Sequence, residues 1–308
     1  MKKIVSLVVL FVLVGSGVIY LLNDHLALGI GLDKQELKVS TQLKNQPEIT
    51  EKIHSKNVLL QNLATSEILI EKNKDQKAAI ASLTKLMTVY LLLNKEKDLN
   101  QKVTIDQKIV DSLVKEGASL SGYQPGDELT IKDLAYGIVL PSGGDASITA
   151  ANYVAGSEKK FVDLMNQEAQ NIGMKNTHFK NATGLDEGNH YSTVSDLQKL
   201  MVVALKNEQF KEMMLTTTYQ TNTTAYNPEG YYIESTMLKD SPDLTISNGK
   251  ILGGKTGYTE KAGQCLISLA EVNQTPYLLI TTGADGGPLT DQLNMADARL
   301  IYQSIGNS

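Results

Sequence analysis

The sequence predicts an α+β fold in which one antiparallel sheet, built from both ends of the folded region, packs against helices. Two observations predict it. Short β-rich runs at 57–62 and 67–72 flank the turn-like ATSE, and near the other end QCLISLAEV and TPYLLITTGA are joined by a tight NQ. Between these pairs the apolar residues recur at helical spacing, which predicts a mostly helical middle region. Strands from distant parts of the chain, with helices between them, favour a sheet covered by helices.

The helices follow one another through the middle of the chain. The first is predicted to begin at Ser82, because apolar residues from Leu83 to Leu93 recur at intervals of three and four, the pattern of a helix buried on a broad face. Gly- and Pro-containing segments separate the later helical patterns. These lie at about 107–116, 131–140, 145–155, 158–172 and 194–206, and a last helix at about 290–304 closes the chain.

Composition excludes several classes of function. The 308 residues carry a formal net charge of -5 and no long basic stretch, so we expect no nucleic-acid partner. The single cysteine, Cys265, excludes an intramolecular disulfide framework. The four histidines show no metal-ligand spacing, so we expect neither a metal nor another cofactor. We interpret one of them, His190, as a structural loop residue and not as a catalytic base.

The N-terminus predicts contact with a membrane. After Lys2 and Lys3, residues 4–22 contain no charge, and a spanning helix needs about 20 apolar residues. A cleaved signal peptide and an uncleaved anchor both fit, with a possible cleavage site at ALG, residues 27–29. We favour the anchor because the apolar run is long. In both cases the basic pair stays in the cytoplasm and the rest of the protein lies outside it, tethered to the cell membrane or secreted.

The chain therefore divides into three regions. Residues 1–23 form the predicted anchor or signal segment. Residues 24–50 mix charges, Gln and Thr without a sustained period, which is typical of a linker. Residues 51–308 form the predicted folded domain, which is long enough to bury a sizeable core.

Ser82 and Lys85 form a candidate nucleophile and base. Residues three apart share a face of a helix, so the hydroxyl and the amine can approach within hydrogen-bonding distance. The amine accepts a proton only when it is neutral, and lowering its pKa from about 10.4 to about 7 costs about 4.6 kcal/mol. Flanking apolar residues such as Ile80 and Leu86 supply the desolvation that this requires. Serine near a helix start is also a common capping pattern, so this pair alone is weak.

Two further segments carry candidate site residues. Ser142 lies in the Pro- and Gly-containing turn PSGG just before a helical stretch, where its hydroxyl could project into a cleft. Lys255 and Thr256 stand between glycines in GGKTG, where a cation and a hydroxyl would suit a ligand carboxylate. Each segment is weak when taken singly.

Taken in order, the three segments resemble the signature S-x-x-K, S-x-N and K-T-G of the penicillin-binding serine D-alanyl-D-alanine carboxypeptidases. The resemblance extends to four longer blocks and covers most of residues 55–285. These blocks are AAIASLTKLMT, GASLSGYQPGDELTIKDLAYGIVLPSGGDA, MKNTHFKNATGLDEGNHYSTVSDL and GGKTGYTEKAGQCL. It implies a fold like that of the β-lactamases and transpeptidases, and makes residues 51–308 a penicillin-binding D,D-peptidase catalytic domain.

The resemblance also implies a role for each candidate residue. Ser82 would attack the carbonyl between the two terminal D-alanines of a peptidoglycan stem peptide and form an acyl-enzyme, and a β-lactam would acylate the same serine. The other implied roles are general base for Lys85, proton relay to the leaving amine for Ser142, carboxylate binding for Lys255, Thr256 and Gly257, and an oxyanion hole for the backbone amides of Ser82 and Tyr258.

The sequence departs from the family pattern at two places. Position 144 is Gly where the second motif should end in Asn, whose amide would bridge the lysine and the peptide of the substrate. Losing one such contact costs about 1 to 3 kcal/mol, so we expect a weaker or differently tuned enzyme unless a neighbour such as Asp145 substitutes. The chain also ends at RLIYQSIGNS, without the β-rich domain and C-terminal anchor of many relatives, so we expect the N-terminal segment to anchor it.

Three alternatives to a carboxypeptidase stay open. A D,D-endopeptidase needs the same apparatus. A β-lactamase shares the motifs, but residues 172–184 lack the acidic residue with which class A β-lactamases deacylate, which is unfavourable for that activity. A non-catalytic, membrane-tethered cell-wall-binding relative could have lost turnover when Asn became Gly.

Overall fold

The structure is a computed structural model that describes residues 51–239, 243–287 and 289–306. The chain divides into two units, residues 1–45 and 46–308, and the description concerns the second of them. The predicted anchor or signal segment and the predicted linker, residues 1–23 and 24–50, lie outside the described residues. Within the described ranges, no helix combines the length and the apolar character that crossing a membrane requires.

The described residues form ten strands, of which those in the main sheet come from the two ends of the described chain. They are β1 (Asn57–Asn62), β2 (Ile68–Lys72), β3 (Lys102–Thr104), β4 (Glu128–Thr130), β5 (Thr218–Gln220), β6 (Tyr232–Glu234), β7 (Thr245–Ile246), β8 (Gly249–Thr259), β9 (Gly263–Val272) and β10 (Thr275–Ala284). Over the described residues the main sheet has six strands in the order β2-β1-β10-β9-β8-β7, and each neighbouring pair is antiparallel. The pairs β3–β4 and β5–β6 form separate small ribbons.

The helices fill the middle of the chain and close its end. They are α1 (Lys85–Lys95), α2 (Gln107–Lys115), α3 (Ile131–Val139), α4 (Gly144–Ala155), α5 (Glu158–Asn171), α6 (Val194–Ala204), α7 (Glu208–Leu215) and α8 (Leu293–Gly306), with 3-10 turns at Ala81–Thr84 and Thr236–Leu238. The predicted α+β class, with a sheet from both chain ends and a mostly helical middle, is confirmed.

Helix α1 runs through the centre of the helical region. Its side chains Leu86, Met87, Val89 and Leu92 are fully buried, as the apolar spacing at three and four predicts. It packs against α3, α4, α5 and α7, so the residues at its N-terminus are held by the hydrophobic core.

The two chain ends are joined through one buried carboxylate. Asp297 on α8 accepts hydrogen bonds from the backbone amides of His54 and Ser55, at 2.9 and 2.7 Å, and from the Ser55 hydroxyl at 2.6 Å. Because β1 begins two residues later and pairs with β10, this contact holds α8 against the start of β1 inside the sheet.

Most helices of the middle region begin at a capping side chain that accepts from the first-turn amides. These caps are Asp106, Thr130, Ser157, Thr193 and Asn207. Helices α1 and α4 differ, because no side chain caps their N-termini. Their starts are instead determined by tertiary contacts at the site described below.

Helix α7 and the β3–β4 ribbon are not among the predicted elements, and two further departures lie beside the candidate site. The helix predicted from Ser82 begins at Lys85, because Ala81 has φ 46° and residues 81–84 wind as a 3-10 turn. Strand β8 was not predicted, because its glycines disfavour a strand. They are needed there: a Cβ at Gly253 would lie 2.2 Å from the Met214 carbonyl oxygen on α7.

Candidate active site

A cleft of about 780 Å³ lies where three segments meet: the 3-10 turn Ala81–Thr84, the turn before α4 and strand β8. Residues from all three motifs line it: Ser82, Ser142, Thr256, Gly257 and Tyr258. Residues as far apart in the sequence as Ser82 and Tyr258 are thus brought to one surface by the packing of the helices on the sheet.

Lys85 and Ser82 are in direct contact. The Lys85 Nζ donates hydrogen bonds to Ser82 Oγ at 2.9 Å and to the Thr183 carbonyl oxygen at 2.7 Å. Only 4% of Lys85 is exposed, so the amine is held between the hydroxyl and the carbonyl without access to bulk water. A neutral amine can donate to Thr183 and still turn its lone pair toward the Ser82 hydroxyl.

The surroundings of Lys85 favour that neutral form. Burial lowers the pKa of Lys85 from 10.5 to about 7, and the opposing effect of the Asp145 carboxylate is smaller. The amine is therefore available as a base near neutral pH, as activation of Ser82 requires.

The Thr183 carbonyl that holds Lys85 belongs to a tightly braced loop. Its neighbour Ala182 donates its amide to Glu158 Oε1 at 2.9 Å and accepts from the Thr88 hydroxyl at 2.8 Å. Asn181 Oδ1 accepts from the Gly184 amide at 2.7 Å. The loop is thus hydrogen-bonded to α5 through Glu158 and to α1 through Thr88. These contacts fix the position of the Thr183 carbonyl, to which the Lys85 amine donates.

Gly184 in this loop lies against the 3-10 turn Ala81–Thr84, which carries Ser82 and is called the nucleophile turn from here on. It has φ 86°, and a Cβ there would fall 1.9 Å from the Ala81 carbonyl oxygen, so only glycine fits. Sequence reasoning missed the roles of Thr183 and Gly184, because the block NATGLDEGN signals only a turn and does not show what it contacts.

His190 contacts the nucleophile turn through Thr84, on the side away from the cleft. Its Nε2 lies 2.8 Å from Thr84 Oγ1, and its Nδ1 accepts from the Lys180 amide at 3.3 Å. Burial lowers the pKa of His190 to about 4, so the ring is neutral at neutral pH and donates through Nε2 to Thr84. The structure therefore places His190 within hydrogen-bonding distance of the S-x-x-K motif, as a support and not beside Ser82.

Ser142 is held in a backbone conformation that few residues other than glycine adopt. Its φ is 66°, and only 4% of the residue is exposed. The amides of Gly143 and Gly144 donate to the carbonyl oxygens of Gly137 and Ser119 at 2.9 and 2.8 Å, which fixes the turn. Among the described residues, the buried Ser142 hydroxyl has no hydrogen-bond partner. A buried hydroxyl left unpaired at a cleft wall is available to a ligand.

On β8, Lys255 and Thr256 are placed differently. Lys255 is fully buried, and its Nζ donates to the Thr256 carbonyl oxygen at 2.7 Å. Burial, together with the charge of Lys85, lowers its pKa well below the ordinary value. Thr256 lines the cleft, and its Oγ1 lies 2.5 Å from Thr236 Oγ1. The polar surface of this wall is therefore a pair of hydroxyls with an amine buried behind it.

Gly257 and Tyr258 continue this wall past the nucleophile. A Cβ at Gly257 would lie 2.9 Å from the Ser82 backbone nitrogen and 3.1 Å from Ala81 Cβ. Glycine thus lets β8 pass directly beside the Ser82 amide. Tyr258 follows and pairs with Gln264 on β9. The two amides predicted to form an oxyanion hole belong to segments in contact, and that role stays a prediction.

Asp145 does not occupy the place of the missing Asn side chain. Its buried carboxylate accepts from the Ser121 amide at 2.8 Å and from the Ser121 hydroxyl. It therefore fixes the loop after α2 to the start of α4, and the suggestion that it could substitute for an amide at position 144 gains no support.

The sheet is built from both chain ends, a buried lysine contacts Ser82, and the third motif lies on the adjacent strand β8. This arrangement is typical of serine acyltransferases and hydrolases that use a lysine as base. Comparison with known proteins narrows the class. The family model described as D-alanyl-D-alanine carboxypeptidase, peptidase S11, matches residues 41–286, and the chain belongs to this family.

Individual relatives agree with this family. The chain is 32% identical over 257 residues to D-alanyl-D-alanine carboxypeptidase DacF of Bacillus subtilis, covering 82% of this chain and 61% of the relative. It is 32% identical over 243 residues to DacD of Escherichia coli, covering 76% and 59%. The chain thus spans about three fifths of the length of these two relatives.

The fold is similar to that of a solved D,D-peptidase. The crystal structure of the Streptomyces K15 DD-transpeptidase superposes with a TM-score of 0.72 at 28% identity, covering 83% of this chain and 98% of that one. The β-lactamase/transpeptidase-like fold that the resemblance implies is therefore confirmed.

The pKa of Lys85 predicts how acylation of Ser82 depends on pH. The fraction of neutral amine falls tenfold for each pH unit below about 7. We expect the second-order rate constant for acylation by benzylpenicillin to rise with unit slope up to about pH 7 and to be constant above it. Lys85→Ala should show no acylation at any pH. A rate that keeps rising toward the ordinary lysine pKa of 10.5 would contradict a lowered pKa.

The close approach of Gly257 to Ser82 predicts a specific effect of a single methyl group. Gly257→Ala must separate β8 from the nucleophile turn, because the added Cβ meets backbone atoms that cannot rotate away. We expect acylation by benzylpenicillin to fall about 10- to 100-fold. Gly188→Ala is the matched control, because a Cβ there meets nothing within 4 Å. Equal rates in the two variants would show that this spacing does not matter.

Proposed function

We propose that the protein is a serine D-alanyl-D-alanine carboxypeptidase that removes the terminal D-alanine from peptidoglycan stem pentapeptides through an acyl-enzyme on Ser82. The observation that carries the proposal is the placement of the Lys85 amine, whose pKa burial lowers to about 7, at 2.9 Å from the Ser82 hydroxyl inside the cleft. Membership of the peptidase S11 family supports the same chemistry.

Acylation begins with attack of Ser82 Oγ on the carbonyl carbon between the two terminal D-alanines. The Ser82 proton passes to neutral Lys85, and the carbonyl π electrons move to its oxygen. The backbone amides of Ser82 and Tyr258 would stabilise that negative charge. The Thr183 carbonyl then stabilises the ammonium formed on Lys85, because it already accepts a hydrogen bond from Nζ.

Collapse of the tetrahedral intermediate breaks the peptide bond and expels D-alanine. Its nitrogen needs a proton, which Ser142 would deliver from its hydroxyl while taking one from Lys85. The Ser142 hydroxyl is suited to this relay because no described residue forms a hydrogen bond with it. Water then attacks the Ser82 ester and gives up a proton to Lys85, which passes it to the departing Ser82 Oγ. The shortened peptide is released with a free carboxyl group, and Ser82 and Lys85 are restored.

The wall formed by Thr256 and Thr236 would bind the carboxylate of the terminal D-alanine. The two hydroxyls lie side by side at the cleft, and Lys255 is buried directly behind Thr256. A carboxylate bound there raises the pKa of Lys255, so that the buried amine takes up a proton and pairs with it. Recognition of a free terminal carboxylate is what restricts cleavage to the end of the peptide.

A β-lactam would acylate Ser82 in the same way and leave slowly. Residues 172–184 contain no acidic residue that could serve as a second base for water. This supports a long-lived penicilloyl ester over β-lactamase activity.

We also propose that this domain acts outside the cytoplasm, tethered by the uncharged run of residues 4–22. Its substrate, peptidoglycan, is an extracytoplasmic polymer, which agrees with this orientation. Intact-mass measurement of the protein extracted from membranes tests the tether: retention of residues 1–29 supports an anchor. A mass that begins after ALG, or recovery only from the medium, would show that the segment is a cleaved signal.

The proposed reaction predicts two linked results. Fluorescent penicillin should label the wild-type protein covalently and should not label Ser82→Ala, because the ester forms on that hydroxyl. With a stem pentapeptide, the wild type should release free D-alanine, and Ser142→Ala should reduce this release at least tenfold while the protein stays folded by circular dichroism.

Other outcomes would favour the alternatives. Labelling without release of D-alanine, together with cleavage of a crosslinked stem-peptide dimer, would favour an endopeptidase. Absence of labelling in the wild type would favour a cell-wall-binding protein without catalysis.

A further inference from the structure

The cleft lacks a side chain where the family pattern has an Asn, and a neighbouring loop lies in that place. Position 144 is glycine at the start of α4. A Cβ there would lie 3.2 Å from the Ser119 carbonyl oxygen and 3.3 Å from Leu113 Cδ1. The space next to the Gly144 backbone is therefore taken by the loop that follows α2, residues 117–121.

This loop is held firmly against the second motif. The Gly144 amide donates to the Ser119 carbonyl oxygen at 2.8 Å, and the Ala118 amide donates to the Leu113 carbonyl oxygen at 2.9 Å. Two residues further on, the Ser121 amide donates to the buried Asp145 carboxylate at 2.8 Å. Hydrogen bonds on both sides of Ser119 fix its backbone relative to Gly144 and Asp145, so its Cβ has a defined position at the cleft.

Ser119 has the chemistry that a contact to a peptide carbonyl needs. It is exposed and lines the same cleft as Ser82 and Ser142. In the part of the chain that the structure describes, its hydroxyl makes no hydrogen bond, so both its donor and its acceptor functions are available. Among its neighbours at this wall, Gly117 has no side chain and Glu116 is a carboxylate that cannot donate to a carbonyl when ionised.

We infer that Ser119 is a substrate-binding residue whose hydroxyl donates a hydrogen bond to the amide carbonyl on the acyl side of the scissile bond, in place of the missing side chain at position 144. In a stem peptide this is the carbonyl of the residue that precedes the two D-alanines. In a penicillin it is the carbonyl of the 6-acylamino group. The inference rests on the proposed function, since both ligands acylate Ser82.

Two β-lactams separate this contact from a merely structural role. Benzylpenicillin carries the 6-acylamino carbonyl, and 6-aminopenicillanic acid lacks it. We expect Ser119→Ala to lower the second-order rate constant for acylation by benzylpenicillin about tenfold and to change that for 6-aminopenicillanic acid by less than about twofold. Ser119→Thr, which keeps the hydroxyl, should restore most of the rate with benzylpenicillin.

Ser195→Ala is the matched control, because Ser195 lies in the first turn of α6 and does not line the cleft. It should leave both rates unchanged. Equal slowing of both β-lactams by Ser119→Ala would assign Ser119 a structural role and overturn the inference, as would unchanged rates with both. A wild-type protein that neither compound acylates would instead overturn the proposed function, so the two failures are distinguishable.

Discussion

The contact on which the site depends is the one between the buried Lys85 amine and the Thr183 carbonyl. Burying a lysine without a partner is unfavourable, and the carbonyl supplies a hydrogen bond that the neutral amine can make. With that bond formed, Lys85 Nζ lies 2.9 Å from Ser82 Oγ, and the neutral amine keeps a lone pair that can accept the proton of the Ser82 hydroxyl. The hydrophobic core around α1 and the loop at 181–184 are thus both conditions for the chemistry, since one supplies desolvation and the other supplies the carbonyl.

Close backbone approaches are the second constraint on the site. Gly184 and Gly257 allow two separate segments to touch the Ala81–Ser82 turn, from the helical side and from the sheet. Ala81 and Ser142 both have positive φ, at 46° and 66°, although neither is glycine. Strain of this kind persists only where surrounding contacts hold it, and here it holds two hydroxyls toward one cleft.

The departure at Gly144 is compensated locally by backbone packing. The loop at 117–121 lies against the glycine and is fixed by Asp145. Glycine at position 144 lacks the side-chain amide of the Asn in the family motif. It also leaves room for the loop that carries Ser119, a polar residue lining the same cleft. The consequence of Gly144 therefore depends on a segment more than twenty residues away in the sequence.

By itself, the sequence determined the fold class, the family and the identity of the motif residues. Hydrophobic periodicity reports which face of a helix or strand is buried, so α1 and the β9–β10 hairpin could be predicted from it. The order of the three motifs indicated the chemistry. Only the tertiary structure decided the rest: β8 forms despite its glycines because β9 pairs with it, Lys255 is buried behind Thr256, and Thr183 and His190 brace the nucleophile turn. These are contacts between segments distant in the chain, and no local pattern encodes which segment will supply a carbonyl or leave room for a passing strand.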